Sequence, residues 1–430
     1  MKRPRQRIWV RFSVVRRRLF FSLIVLVAVL GLGTAILKVL EAHGLLQTER
    51  ADDRVAYLPD RWLLQSRGQF RFHNRSMLAE TFPVRKPART IRLVTTGESF
   101  MMGSPFVSPE RFGKEQGGIP DWLGAELPLR YPSLRFEVIN AACGGQNSFR
   151  VREIVDGLVG VHPDLLIIGV GNNEGYVPLT RFNEELHKWI VYRVLKRSLL
   201  PSPADDERAY FSPQDPDTRR IEENYRANMR GMVVACRQAK APVMLLALPI
   251  NWKYDDADPR DHGQSGSASD DPRIAHARRL MERGDLNGAE RLLVRSPQQG
   301  YAALYLARIA ERRGDLAQAR KLYRLHVQLV PNNRTRPSYN DFVRQLAREQ
   351  NVALADLEAA VDRLAGPAIS PPGVWMDYCH MSKRGYYLME QEIMRVLIEQ
   401  RIVPAGPGEP APTPTRERLI ELTPKLGDYY

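Results

Sequence analysis

The sequence has few of the residues that staple small folds together, with only three cysteines in 430 residues. A disulfide framework is excluded, so the fold must rest on a buried apolar core. Metal-ligand spacings are missing as well: there is no H-E-x-x-H, no C-x-x-C and no calcium loop. Neither a metal nor another cofactor is expected. Hydrophobic residues make up 43% and charged residues 26%, ordinary globular usage that excludes wholesale disorder and fibrous repeats.

Acidic residues are absent from the first 18 positions, which carry Lys2, Arg3, Arg5, Arg7, Arg11, Arg16, Arg17 and Arg18. These eight cations account for much of the formal net charge of +14 and leave +6 for everything after them. The next nineteen residues, Leu19 to Leu37, contain no charge. As a helix they would span roughly 28 Å, the thickness of a bilayer's hydrocarbon core. A cleaved signal peptide has a shorter apolar core and a small-residue cleavage site. Here the run continues into Lys38, Val39 and Leu40, so an uncleaved single-pass anchor is expected. The positive-inside rule then keeps the N-terminus cytoplasmic and puts the rest of the chain outside, in the periplasm or at the cell surface. A basic DNA-binding arm before a core helix would need a polar helix face, which this stretch lacks. No nucleic-acid partner is expected.

The body of the chain alternates between helix-length segments and short apolar runs: Thr90–Thr96, Leu134–Ala142, Asp164–Gly171, Ala241–Pro249 and a weaker Asn351–Leu357. Such runs, most of them ending at glycine, read as parallel strands buried on both faces. The expected fold class is α/β, a three-layer doubly wound parallel sheet. The expected segments are a basic tail (1–18), a transmembrane helix (19–40) and a juxtamembrane connector (41–88). An α/β domain follows in two parts (89–254 and 339–402), interrupted by a polar loop and helical insertion (255–338). A Pro-rich linker and short tail (403–430) close the chain.

The insertion contains a repeat. Gly284-Asp285-Leu286-Asn287-Gly288-Ala289 recurs as Gly314-Asp315-Leu316-Ala317-Gln318-Ala319, offset by 30. The motif and its amphipathic flanks resemble tetratricopeptide (TPR) repeats, with glycine at the inter-helix turn and alanine where helices pack, although the offset of 30 is shorter than their usual period of about 34. A helical hairpin is expected, serving either as a plain insertion or as a docking surface for a protein partner.

Open α/β sheets bind ligands at the carboxyl ends of their strands. The first run delivers Gly97-Glu98-Ser99, where Met101 breaks the G-x-S-x-G elbow of α/β-hydrolases. The second delivers Cys143-Gly144-Gly145-Gln146-Asn147, and the third Gly171-Asn172-Asn173-Glu174. Far downstream stands Asp377-Tyr378-Cys379-His380. Of eight histidines, only His380 has an aspartate at this spacing. In this order the four pieces resemble the SGNH (GDSL-like) hydrolase family over residues 89–254 and 340–400. That resemblance implies a flavodoxin-like fold, with Ser99 as nucleophile and Asp377 and His380 completing a triad. It implies an oxyanion hole from the Ser99 and Gly145 backbone N–H groups and the Asn173 amide. Glu98 and Glu174 stand where the family carries aspartate, which should alter the packing behind the site while keeping the carboxylates.

A serine hydroxyl needs an adjacent base near neutral pH, and the tetrahedral intermediate needs preorganised donors; these residue types supply both. The expected activity is a membrane-anchored serine esterase acting on a small-molecule or glycan O-acyl ester. Alternatives are an O-acyltransferase acting on an exported polysaccharide and a catalytically silent envelope scaffold. Cys143 and Cys379 both fall in these motifs, and they read as small buried hydrophobes or as a pair.

Overall fold

The computed structural model describes residues 5–43, 45–46, 62–174, 186, 189–199, 216–255, 271–297, 299–330, 334–402 and 410–427. Residues 256–270 of the expected polar loop and 403–409 of the Pro-rich linker lie outside the described residues. The chain forms two compact units. One comprises Met1–Arg54 with Leu179–Asp205, the other Val55–Pro178 with Asp206–Tyr430.

The first unit holds helix α1 (Arg5–Ala42), which begins directly after Pro4. Within it lies the 22-residue stretch Phe20–Glu41, in which an 18-residue segment has a mean hydropathy of 2.6 and none of it is buried. That is long and apolar enough to cross a membrane. The helix starts inside the expected basic tail because no glycine or proline interrupts residues 5–18.

The first described elements of the second unit form a three-stranded antiparallel meander, within the stretch expected to be a juxtamembrane connector. Its strands are β1 (Leu63–Ser66), β2 (Gln69–Phe72) and β3 (Thr81–Pro83), in that order. Arg67 and Gly68 turn the first hairpin with φ of 48° and 75°, the positive pair a tight two-residue turn demands. Phe72 and Phe82 are buried by it. Strands of three or four residues are too short to show an alternating pattern, so periodicity could not reveal them.

The main sheet is built from β4 (Thr90–Gly97), β5 (Arg135–Asn140), β6 (Leu165–Gly169), β7 (Val243–Ala247) and β8 (Ala353–Asp356). β5 to β8 each lie within one of the expected runs, and β4 extends its run by one residue, to Gly97. All pair in parallel in the order β5-β4-β6-β7-β8. This 2-1-3-4-5 order is the flavodoxin-like doubly wound arrangement.

Side chains alternate between the two faces of the sheet. Leu93, Leu165, Ile167, Met244, Leu246 and Ala355 belong to one core. Their neighbours Val94, Leu166, Ile168, Val243 and Leu245 belong to another. In chain order the helices are α2 (Ser99–Met102), α3 (Ile119–Arg130), α4 (Ser148–Leu158), α5 (Ile190–Leu199, in the first unit) and α6 (Pro216–Gln238). Trp122 and Leu123 of α3 join the first core; Ile154 of α4 and Met229 and Met232 of α6 join the second. The result is a three-layer α/β/α domain.

Between β7 and β8 come α7 (Pro272–Glu282), α8 (Leu286–Leu293), α9 (Gln299–Arg312), α10 (Leu316–Leu329) and α11 (Pro337–Gln350). The repeated hexapeptides mark the turns between α7 and α8 and between α9 and α10. Gly284 and Gly314 have φ of 83° and 79°, Asp285 and Asp315 cap the following helices, and Ala289 and Ala319 are fully buried. The insertion thus holds two helix pairs, one more than the single hairpin expected. Together with Ile250 and Trp252 they enclose a third core.

After β8 come α12 (Leu357–Ala365) and α13 (Lys383–Glu399), then α14 (Arg416–Leu422) in the tail. The tail is part of the fold: Leu419 and Leu426 are fully buried in the first core. The buried Lys383 ammonium donates to the carbonyls of Lys425 and Gly427 at 3.0 and 2.6 Å.

Candidate active site

In this strand order β4 is flanked by β5 on one side and β6 on the other, so the sheet's switch point lies at β4. Crevices at such points are where doubly wound folds place ligands. Ser99 follows β4, Gly145 follows β5 and Asn173 follows β6, so three of the five sequence-expected site residues gather at this edge.

Gly97 closes β4 with φ of 151°, and a Cβ there would sit 1.9 Å from the Gly169 carbonyl oxygen. Only glycine lets the chain turn so tightly against β6 and present Ser99 at the start of α2. His380 arrives from far along the chain. Its Nε2 lies 2.8 Å from Ser99 Oγ, across 281 positions of sequence.

The D-x-x-H spacing has a local explanation. Asp377 Oδ1 accepts the N–H groups of Cys379 and His380 at 2.8 and 2.7 Å, folding the segment into a turn. Asp377 Oδ2 is then 2.6 Å from His380 Nδ1. With Nδ1–H donating to the carboxylate, the Nε2 lone pair faces the Ser99 hydroxyl. Burial acts to raise the Asp377 pKa. The hydrogen bond and charge of His380, with the two N–H donors, outweigh it and hold the carboxyl below its ordinary value. Met376 N–H donates to the His380 carbonyl at 2.9 Å and closes the loop around this turn.

Gly145 adopts a left-handed φ of 69°, and the adjacent Gly144 N–H donates to the Ser76 carbonyl at 2.9 Å. The segment after the β1–β2 hairpin therefore anchors the Gly145 loop. The Ser99 and Gly145 N–H groups donate to no other described residue.

The Asn173 amide is already engaged. It donates to Glu98 Oε2 at 2.6 Å and to the Gln146 carbonyl at 3.2 Å. Glu98 is fully buried, and its Oε1 accepts the N–H groups of Gly171 and Asn172 at 2.9 and 2.5 Å. Burial lifts its pKa to about 8, against the pull of those hydrogen bonds and with a push from Glu174. Glu174 accepts the Ser148 N–H and hydroxyl at 2.6 and 2.7 Å, and burial raises it to about 7. Glu98 thus ties the ends of the neighbouring strands β4 and β6 together behind the site, and Glu174 ties the segment after β6 to the start of α4.

Sequence reasoning missed Asn251 and Arg334. Asn251 Nδ2 donates to the Asp377 carbonyl at 2.9 Å, and the buried Arg334 donates to the Asn251 carbonyl at 2.8 Å. Arg334 also donates to Nε2 of His326, a histidine that burial first, then the Arg334 charge, keep neutral with a pKa near 3. Asn251 stands just past β7, at the same carboxyl edge as the other site segments, and that position was the available signal. Arg334 comes from the helical insertion and had none.

Asp377, Cys379 and His380 place ligand-type atoms within 4.8 Å of one another. They do not suit a metal, because Asp377 and His380 are already bonded to each other and burial holds the Cys379 thiol well above its usual pKa. Cys143, Cys236 and Cys379 are buried free thiols. A cavity of about 430 Å³ lies elsewhere, lined by Leu165, Val243 and Ala353 at the amino ends of β6–β8, with none of the residues above in it.

No protein-family model and no curated protein matches the sequence. Among solved structures, the chain is similar to an acetylxylan esterase from Geobacillus stearothermophilus. The identity is 14%, the match covers 71% of this chain and 94% of that one, and the TM-score is 0.36. It is similar to a second acetyl xylan esterase at 15% identity, covering 72% of this chain and 100% of that one with a TM-score of 0.35. A GDSL-like lipase from Bacteroides thetaiotaomicron is similar at 12% identity, with 72% and 88% covered and a TM-score of 0.33. At these values no residue role passes from those proteins to this chain.

Proposed function

We propose that the chain is a serine esterase of the SGNH (GDSL-like) type, anchored by α1 with its catalytic domain on the extracytoplasmic side. One observation carries the reading: a hydroxyl, an imidazole and a carboxylate in series, at 2.8 and 2.6 Å, at the switch point of a doubly wound sheet. The membrane part is supported by the eight N-terminal cations and the nineteen uncharged residues that follow them, within a helix long and apolar enough to cross a membrane.

In the first step His380 Nε2 takes the Ser99 proton as Oγ bonds to the carbonyl carbon of an O-acyl ester. The electron pair moves to the carbonyl oxygen, which the Ser99 and Gly145 N–H groups and the Asn173 amide stabilise. Asn173 turns its weaker 3.2 Å bond from the Gln146 carbonyl toward that oxygen and keeps its bond to Glu98. Collapse breaks the ester C–O bond, and His380 returns the proton to the departing alcohol. Water, deprotonated by His380, then attacks the acyl-enzyme, which splits into the acid and free Ser99. Throughout, Asp377 holds the imidazole in one tautomer.

A sugar hydroxyl in place of water would make the same acyl-enzyme an O-acyltransferase. The test uses detergent-solubilised full-length protein with a short-chain p-nitrophenyl ester, with and without added oligosaccharide. The wild type is expected to hydrolyse the ester and to be labelled at Ser99 by a fluorophosphonate. Ser99→Ala should do neither. Unchanged turnover in that variant would sink the assignment, and acyl transfer to the oligosaccharide in preference to water would move it to the transferase.

A further inference from the structure

The crossover that leaves the site at Glu174 reaches an amphipathic helix sixteen residues later, beginning just after Trp189. This helix, α5 (Ile190–Leu199), belongs to the same compact unit as α1. The two are bonded: Arg193 donates to both carboxylate oxygens of Glu41, at 3.0 and 2.9 Å. Glu41 closes the Phe20–Glu41 span, four residues past Leu37 where the uncharged run ends, so the bond holds α5 beside the outer end of that span.

The composition of α5 suits that level. It carries Arg193, Lys196 and Arg197 and no acid. Leu195 and Leu199, one turn apart on one face, are 50% and 73% exposed, and Trp189 at the start is 64% exposed. Ile190, by contrast, is buried. Two leucines this open on the face of a helix bonded to the apolar span form an apolar edge beside it. A helix lying in the membrane interface needs them, with cations for anionic headgroups and tryptophan at the boundary.

We infer that Trp189–Leu199 is an interfacial helix whose Leu195–Leu199 face inserts into the extracytoplasmic leaflet beside the anchor. It is a second membrane contact, placed within the crossover between β6 and α6. The inference rests on reading Phe20–Glu41 as a membrane span.

The experiment uses the full chain reconstituted in vesicles of equal parts phosphatidylcholine and phosphatidylglycerol, with or without brominated acyl chains. An environment-sensitive fluorophore is placed on Leu195→Cys, on Leu199→Cys as a second site in the helix, and on Val27→Cys within the anchor. Wild-type protein treated in parallel controls for the three native thiols, which are buried. Blue-shifted emission and loss of intensity to bromolipid are expected at all three positions. Quenching at Val27 with unquenched, water-like emission at Leu195 and Leu199 would overturn the inference and leave the anchor standing, with the face free or covered by protein. No quenching at Val27 would remove the anchor reading and this inference with it.

Discussion

The carboxylate of Glu98 and the amide of Asn173 meet at 2.6 Å, in a pocket where Glu98 is wholly buried. Glu98 precedes the candidate nucleophile and Asn173 is the candidate oxyanion donor, so one short bond couples the ends of β4 and β6. Glu98 also accepts the N–H groups of Gly171 and Asn172 through its other oxygen.

That coupling orders two substitutions. Asn173→Ala removes a donor outright and should lower kcat by about 10²–10³. Glu98→Gln sets an amide N–H against the Asn173 N–H, which misaims the donor without removing it. It should cost less in kcat than Asn173→Ala and still fall measurably below wild type. Steady-state hydrolysis of p-nitrophenyl acetate checks both, and wild-type kcat in Glu98→Gln would contradict the aiming role.

Asp377→Asn tests the order of the relay. The Asn oxygen can still accept the Cys379 and His380 N–H groups, so the turn should survive. The amide nitrogen would face His380 Nδ1 and favour the wrong tautomer. A fall in kcat of about 10⁴ is expected with little change in thermal stability. Retention of most of the activity would show that the carboxylate does not orient His380.

The two buried glutamates give stability a pH dependence of definite sign. A carboxyl whose pKa is higher folded than unfolded favours the folded chain at low pH. Its contribution is complete below the ordinary value of 4.5 and is lost as pH rises through about 7 for Glu174 and about 8 for Glu98. Denaturant unfolding should therefore show lower stability near pH 9 than near pH 6 from these groups. Glu174→Gln, whose amide can still accept from Ser148 N–H and donate to its hydroxyl, should lessen that decline. An identical decline in the variant would rule Glu174 out as a source.

The thiols offer a check on the core. Burial pushes Cys143 and Cys236 up to about 12 and Cys379 well above its usual value, so none presents a thiolate near neutral pH. A thiol-reactive disulfide reagent should find no cysteine in the folded chain and all three after denaturation. Fewer than three on unfolding would reveal a disulfide.

Much of the scaffold was legible in the sequence because it is recorded in short-range pattern. The five strands of the main sheet announced themselves as apolar runs, since parallel strands are buried on both faces. Gly284-Asp285 and Gly314-Asp315 showed their helix turns because a left-handed glycine and an N-capping aspartate are local requirements. The meander and the buried tail were not visible. Strands as short as Thr81–Pro83 carry no period, and Leu419 and Leu426 become core residues only through contact with elements far up the chain.

For the site, the sequence by itself determined which residue types stand at the strand ends, and the +8 of the first 18 residues set the expected orientation of the span behind them. Both follow from composition and periodicity, which record burial one neighbour at a time. Tertiary structure alone decided which groups touch. His380 meets Ser99 across 281 positions, Asn251 and Arg334 support the Asp377 loop, and the crossover helix is bonded to the end of the span through Arg193 and Glu41. Strand order and crossover paths set those distances. They are global properties of the packed chain, and no local pattern encodes them.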